Sequence, residues 1–168
     1  MPNGMYIEGA PVIECALITG RSLHDMLLQS WGGKLHVFPA MPKAWADSSF
    51  QDLRGEGAFL VSARRQNGKT SWIRVRSLAG EPCLLVHGLG GVPTARTLSG
   101  PLQVKDLGNG VIELPLNKGQ EALVFCGSAP NAVVRPIELD AKTHNYWGCK
   151  KGSGRTAGRA RPTTKKRD

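Results

Sequence analysis

The sequence predicts a mainly β protein, in which an antiparallel β-sandwich follows one long α-helix and precedes a disordered basic tail. The apolar residues recur at helical spacing before Gly32 and in short strand-like runs after Gly33. Such a change of period marks a helix giving way to strands. The 21 glycines and 11 prolines supply the many turns that an all-β region needs. We therefore expect residues 1–33 to end in a helix and residues 34–140 to form the sandwich.

A single helix is predicted within residues 10–30. Pro11 suits the first turn of a helix, and Gly32-Gly33 suits its C-terminus because glycine readily adopts positive φ. The preceding residues are interpreted as a loop. Apolar residues at three- and four-residue intervals form one stripe, as in buried amphipathic helices: Ile13, Ala16, Leu17, Gly20, Leu23 and Leu27. One helix cannot bury its stripe alone, so we expect the stripe to be only partly covered if the chain is a piece of a longer protein.

Seven or eight short strands are predicted after the glycine pair. The clearest are residues 57–63 and 70–77, which flank Asn67-Gly68. Asn-Gly between two such runs is the strongest short-range signal of a hairpin. Side chains alternate along a strand, so Arg74 falls on the face opposite Ile73. The remaining strand-like segments are 48–53, 83–87, 96–98, 103–105, 111–114 and 121–125.

The net charge of +9 belongs almost entirely to residues 141–168. Residues 1–140 contain 13 Lys and Arg against 12 Asp and Glu, whereas residues 141–168 contain nine Lys and Arg against one Asp. This distribution argues against a nucleic-acid-binding domain and indicates a neutral domain with a basic appendage. Residues 152–167 contain no large apolar side chain, so we expect a disordered tail. Its alternatives are non-specific anion binding, a basic localisation signal, or no function.

Several classes of site are not indicated by the sequence. No apolar run approaches the roughly 20 residues that a membrane-spanning helix needs, and no basic segment followed by an apolar one marks a secretory signal. The cysteines and histidines lack metal-ligand spacing, so we predict no metal and no cofactor. Buried thiols are the simplest interpretation of the cysteines. The glycine-rich loop at 88–91 lacks the strand and helix of a nucleotide site.

The junction between helix and strands resembles the C-terminal region of glycoside hydrolase family 95, which contains α-L-fucosidases and related α-L-galactosidases. The family's pattern there is a helix ending in Glu-Met-Leu-Leu-Gln-Ser, a glycine-containing turn, and Leu-Leu-Pro-Ala-Leu-Pro. This chain has Asp-Met-Leu-Leu-Gln-Ser at 25–30, Gly-Gly at 32–33, Val-Phe-Pro-Ala at 37–40, and Pro42. The resemblance is strongest over residues 23–62 and looser across the rest of 1–140.

The resemblance implies that residues 1–33 end a catalytic (α/α)6 barrel, that residues 34–140 are the family's C-terminal β-sandwich, and that residues 141–168 are an added tail. The full-length parent would hydrolyse α-L-fucosyl or related glycosidic bonds with inversion, and it would be secreted or periplasmic. Its partners would be an oligosaccharide or glycoside substrate and the helical barrel domain preceding this chain. The alternatives are a non-catalytic accessory or carbohydrate-binding module, and a small basic interaction protein that acts through its tail.

Two carboxylates are the candidate site residues. Inverting glycosidases pair a general acid with a general base. In an ungapped comparison, Glu14 falls on the family's general-base Asp in Gln-Ile-Asp-Gly-Asn-Phe-Gly, so the resemblance implies Glu14 as the candidate base. The surrounding motif differs, and the alternative role of Glu14 is a helix N-terminal carboxylate favoured by the macrodipole. Glu8 is a second candidate that would contact sugar hydroxyls, with a solvated loop residue as its alternative.

The general acid would come from an earlier barrel helix, so we expect the isolated chain to be inactive. Two aromatic residues, Trp31 and Trp45, flank the junction. We expect them to pack the barrel against the sandwich, and the alternative is that they stack on sugars.

Overall fold

The computed structural model describes residues 6–8 and 10–134. Leu17–Pro136 form one compact unit, described as far as residue 134, and the described residues before Leu17 belong to a second unit. In the second unit, Tyr6–Glu8 (β1) pairs antiparallel with Ala10–Val12 (β2). The prediction of a loop was therefore wrong for Tyr6–Glu8 and Ala10, and Pro11 lies in a strand rather than in the first turn of the helix. The predicted tail lies outside the described residues, and the predicted division at residues 33 and 34 stays a prediction.

The helix α1 runs from Ile13 to Leu27. The prediction of one helix within residues 10–30 is confirmed. The assignment of Gly32-Gly33 to its C-terminus was wrong, because the four residues after the helix form strand β3 (Leu28–Trp31). The physical reason is tertiary. Leu28 is completely buried in the core, and β3 pairs with β4 (Lys34–Val37). Strand pairing and burial therefore override the helical spacing of the last residues.

The apolar stripe of α1 is only partly covered, as predicted. Leu17 is 65% exposed and Leu23 is 43% exposed. Leu27, at the end of the helix, is partly buried against the core. The side chain of Ile13 lies outside the described residues.

Two sheets of the described residues form the sandwich, and they are mostly antiparallel as predicted. After β4 the strands are β5 (Ser48–Gly55), β6 (Phe59–Gln66), β7 (Lys69–Ser77), β8 (Cys83–Val86), β9 (Thr94–Thr97), β10 (Gly100–Leu102), β11 (Lys105–Gly108), β12 (Val111–Leu114) and β13 (Glu121–Phe125). The six-stranded sheet has the order β10-β9-β13-β7-β6-β5, and the five-stranded sheet has the order β11-β12-β8-β4-β3. Only the β4–β8 pair is parallel within these sheets. The predicted seven or eight strands were too few.

Three hairpins close through two-residue turns in which both residues have positive φ. They are Gly32-Gly33 between β3 and β4, Asn67-Gly68 between β6 and β7, and Asn109-Gly110 between β11 and β12. This is the type I′ geometry, whose twist matches that of antiparallel strands. The predicted pairing of the two clearest strands through Asn67-Gly68 is therefore confirmed.

One apolar core fills the space between the sheets. Ile73 and Val75 enter it from the six-stranded sheet, and Leu85 and Ile112 enter it from the five-stranded sheet, all with no exposed surface. Burying each such side chain stabilises the fold by about 1.5–3 kcal/mol. Within the part of the chain that the structure describes, no helix has the length and apolar character to cross a membrane.

We expect Gly68→Ala to lower the free energy of unfolding by about 1–2 kcal/mol, because a residue with a Cβ is strained in the left-handed region. Gly68 has φ of +76°. The check is the midpoint of urea unfolding followed by circular dichroism. Gly20→Ala is the matched control, since its added methyl meets nothing within 4 Å and its φ is not in the left-handed region. That control should not lower the midpoint, and equal midpoints for Gly68→Ala and wild type would contradict the turn assignment.

Candidate functional site: carboxylates of the helix and an arginine-rich sheet face

The two carboxylates predicted from the sequence, Glu8 and Glu14, lie in the second unit. Glu14 is exposed in the first turn of α1, where a carboxylate is favoured by the helix dipole. It makes no hydrogen bond or ion pair with any described residue. Glu8 lies in β1, not in a loop, and its side chain lies outside the described part. The roles of Glu14 as a base and of Glu8 as a sugar contact stay predictions.

A set of polar residues that the sequence did not single out covers the outer face of the six-stranded sheet. Ile73 and Val75 of β7 point into the core, so their neighbours along the strand point outwards. Residues opposite each other in paired strands share a face, and the registers place five arginines on this outer face: Arg54, Arg64, Arg74, Arg76 and Arg96. We call this surface the arginine face.

A hydrogen-bonded chain crosses the arginine face from β5 to β13. Ser62 accepts hydrogen bonds from the backbone N–H of Asp52 (3.0 Å) and from Nη2 of Arg74 (3.3 Å), and it donates to Oδ1 of Asp52 (3.2 Å). Arg74 Nε lies 3.8 Å from Glu121 Oε1. Ser62 is 1% exposed, and its hydroxyl uses its one donor and both acceptor positions. The chain therefore holds the Arg74 guanidinium in one place.

The backbone at Asp52 explains how β5 joins this chain. Asp52 has φ of 53°, within a register shift between Phe50 and Leu53. Aspartate tolerates the left-handed region better than most residues. The irregularity lets both the N–H and the carboxylate of Asp52 reach the same hydroxyl of Ser62.

An open pocket of about 590 Å³ lies beside this chain on the arginine face. The guanidinium groups of Arg74 and Arg96 and the carboxylate of Glu121 line it together with apolar side chains: Leu98, Pro101 and Leu123. Leu98 is fully exposed. Arg96 has no hydrogen-bond or ion-pair partner among the described residues. The pocket thus combines two cations, one anion and an apolar floor, which is a composition suited to a small polar ligand.

A second exposed feature lies on the outer face of the five-stranded sheet. Trp31 is 61% exposed and stacks on His36, with ring centroids 4.3 Å apart and planes 7° apart. Its Nε1 donates a hydrogen bond to Oε1 of Gln29 (3.2 Å). Trp31 is therefore held in place at the β3 edge of the sheet while most of its surface stays exposed. Trp45, in the connector after β4, is 42% exposed.

The described residues include the thiols of Cys83 and Cys126, and that of Cys83 is buried. Burial raises the pKa of the Cys83 thiol to about 12, so the reactive thiolate does not form near neutral pH. Cys83 and Cys126 are both unpaired thiols, as the buried-thiol interpretation predicted for Cys83. Among the described residues, no group of three or more His, Cys, Asp or Glu side chains is placed to hold a metal ion.

His87 is buried at the end of β8, where its Nδ1 accepts a hydrogen bond from the N–H of Leu89 (2.9 Å). Burial lowers the pKa of His87 below its ordinary value of 6.5, and the carboxylate of Asp106 opposes this shift in part. A protonated Nδ1 could not accept that hydrogen bond. His87 therefore stabilises the loop at 88–91 in its neutral form.

Residues 29–124 match the family model of the glycoside hydrolase family 95 C-terminal domain. The match covers more than half of the chain and nearly all of the described sandwich, from β3 into β13. A two-sheet domain with this match defines the C-terminal module of a carbohydrate-active hydrolase. The chain belongs to glycoside hydrolase family 95, which confirms the resemblance seen in the sequence. A comparison with curated proteins finds no match.

The sequence contained part of the signal for the arginine face. The alternation of residues 70–77 placed Arg74 and Arg76 on one side of a strand. It did not show that Arg96 lies two strands away on the same face, because β9 reaches β7 only through β13, the last strand. The nearly neutral charge of residues 1–140 also hid the local excess of arginine.

We expect Ser62→Ala to reduce the free energy of unfolding by about 1–3 kcal/mol, because it removes the three part-buried hydrogen bonds of the Ser62 hydroxyl, two of them to charged groups. The donors of Asp52 and Arg74 would both lose their acceptor. Ser49→Ala is the control on the same face, since Ser49 is exposed and its hydroxyl makes no hydrogen bond to a described residue. Chemical denaturation measures both. A loss no larger than that of Ser49→Ala would show that the chain does not stabilise the sheet.

We expect His87 to make stability fall as the pH falls below about 6.5, the unfolded-state pKa of histidine. Since its folded-state pKa is lower, the unfolded chain binds the proton more readily in this window, and stability decreases towards the folded-state pKa. His87→Asn keeps an acceptor for the N–H of Leu89 but cannot titrate. Urea midpoints at pH 5.5 and 7.5 should therefore differ less in this variant than in wild type, and equal differences would exclude His87 as the source.

Proposed function

We propose that this chain is the end of the catalytic barrel and the C-terminal sandwich of a glycoside hydrolase that cleaves α-L-fucosyl or related bonds with inversion. The observation that carries this proposal is the position of the family match. It begins at residue 29, directly after a helix whose apolar residues Leu17, Ile18 and Leu23 are exposed. A helix with an uncovered apolar stripe fits a partner surface that other helices complete.

In this proposal Glu14 is the general base. Its carboxylate lies in the first turn of α1 with no partner among the described residues, so none of these residues competes for it. A general base must take a proton from water as that water attacks the anomeric carbon. The general acid belongs to an earlier helix of the barrel, and Glu8 is a candidate contact to sugar hydroxyls.

The exposed aromatic residues fit the same arrangement. Trp31 follows α1 by four residues and stays exposed while its ring is held by His36 and Gln29. Nε2 of His36 is buried without a partner among the described residues, and a buried orphaned nitrogen is costly unless something satisfies it. We propose that the preceding barrel covers this edge and that Trp31 packs against it.

The second candidate function is a non-catalytic module that binds carbohydrate. The observation favouring it is the pocket on the arginine face, which lies within the compact sandwich unit. The two functions are compatible, because an accessory domain and a catalytic barrel can act on one polysaccharide.

In the full-length parent, we expect Glu14→Gln to lower turnover by about 100-fold or more, because general base catalysis contributes about 10²–10⁴-fold. The amide has nearly the same volume but cannot accept the proton. The measurement is release of aryl leaving groups from α-L-fucosides and α-L-galactosides. The isolated 168-residue chain should release none.

Glu56→Gln is the control, since Glu56 is exposed after β5 and should leave turnover unchanged. Circular dichroism confirms the fold of each variant. Wild-type turnover by a folded Glu14→Gln parent would remove Glu14 from the mechanism, and turnover by the isolated chain would overturn the assignment of a missing acid.

A further inference from the structure

We propose that the pocket on the arginine face binds the carboxylate of a uronic acid residue in an oligosaccharide. The carbohydrate part of this inference rests on the proposed function, and the carboxylate part rests on the charges of the pocket itself. Arg74, Arg96 and Glu121 supply the polar groups, and Leu98, Pro101 and Leu123 supply the apolar surface.

The arginine face carries a local excess of positive charge. Five arginines share the arginine face with two carboxylates, Asp52 and Glu121. Both carboxylates already have partners in the chain that crosses the sheet. The described lining of the pocket has two cations, Arg74 and Arg96, against one anion, Glu121. A net positive surface attracts ligands of the opposite sign, so an anion is the expected ligand.

The two arginines that line the pocket, Arg74 and Arg96, lie on either side of one strand. In the strand registers, Leu123 lies opposite both Arg74 on one side and Arg96 on the other. The two arginines therefore flank one leucine, about 10 Å apart at the backbone from the spacing of sheet strands. Arg74 is held by Ser62 and Glu121, whereas Arg96 has no partner among the described residues. The pocket thus has one positioned guanidinium and one that no described residue engages.

The chemistry of the pocket suits a carboxylate carried by a sugar ring. A guanidinium group pairs with a carboxylate through two parallel hydrogen bonds. The aliphatic surfaces of Leu123 and Pro101 suit the C–H face of a sugar ring, and Glu121 can accept hydrogen bonds from its hydroxyls. Among the described residues, the pocket lining contains no aromatic side chain, so they offer none of the stacking surface that single-stranded nucleic acids use. A hexuronate matches this combination better than a nucleotide.

The test is isothermal titration of the full 168-residue chain with trigalacturonate, and with its methyl ester as the uncharged match. We expect the acid to bind at least 10-fold more tightly than the ester, and Arg96→Gln to weaken acid binding by at least 10-fold. Arg74→Lys should also weaken it, because lysine keeps the charge but not the paired hydrogen bonds. Arg54→Gln is the control, since it removes the same charge from the arginine face outside the pocket lining and should change binding less than 2-fold.

Each remaining outcome overturns the proposal. Equal binding of acid and ester, or equal losses from Arg96→Gln and Arg54→Gln, would mean that the pocket does not recognise a carboxylate. Equally tight binding of inorganic sulfate or of a short single-stranded oligonucleotide would mean a general anion surface. All variants retain residues 141–168, so the contribution of that basic segment cancels in the comparison of Arg96→Gln with Arg54→Gln, which is the comparison that assigns the preference for the acid to the pocket. Binding here is separate from turnover in the parent, so this inference and the proposed hydrolase activity can fail independently.

Discussion

The pairing of β7 with β6 and β13 is the constraint on which both faces of the six-stranded sheet depend. Its inward residues, Ile73 and Val75, are completely buried and contribute to the common core. Its outward residues lie between the strands that supply Ser62 and Glu121. A shift of one residue in this register would expose the core residues and bury Arg74. The apolar packing of the interior therefore also fixes the geometry of the surface site.

Local chemistry allowed much of the sandwich to be predicted from the sequence. Asn67-Gly68 specified a two-residue hairpin, and β13 was predicted with its observed bounds, 121–125, because it is a compact apolar run between turn residues. The glycine pair was assigned to the helix C-terminus in error, because Leu28 is fixed by burial in the core and not by the local pattern. The early loop was misread because the pairing of β1 and β2 gave no alternating signal in so few residues.

The candidate sites show a different limit of sequence reasoning. Glu14 was found only through resemblance, since a carboxylate near a helix start has an ordinary structural explanation. The arginine face was missed because its members come from strands whose spatial order differs from their order in the chain. Whole-chain charge was a poor guide as well. The basic residues beyond 141 dominate the total, while the local excess near Arg74 and Arg96 is balanced elsewhere in the domain.

The parallel pairing of β4 and β8 has a consequence for how the domain is made. Leu35 and Leu85 are neighbours in the five-stranded sheet, yet 50 residues separate them, and β5, β6 and β7 of the other sheet lie between. Contacts of such long range slow folding. During synthesis, β3 and β4 emerge long before β8, the strand that pairs with the edge of β4. The apolar side of the β3–β4 hairpin therefore stays exposed to solvent until β8 has been made. The two sheets are therefore expected to fold together. The five-stranded sheet needs β8, and β8 is synthesised only after β5, β6 and β7 of the six-stranded sheet.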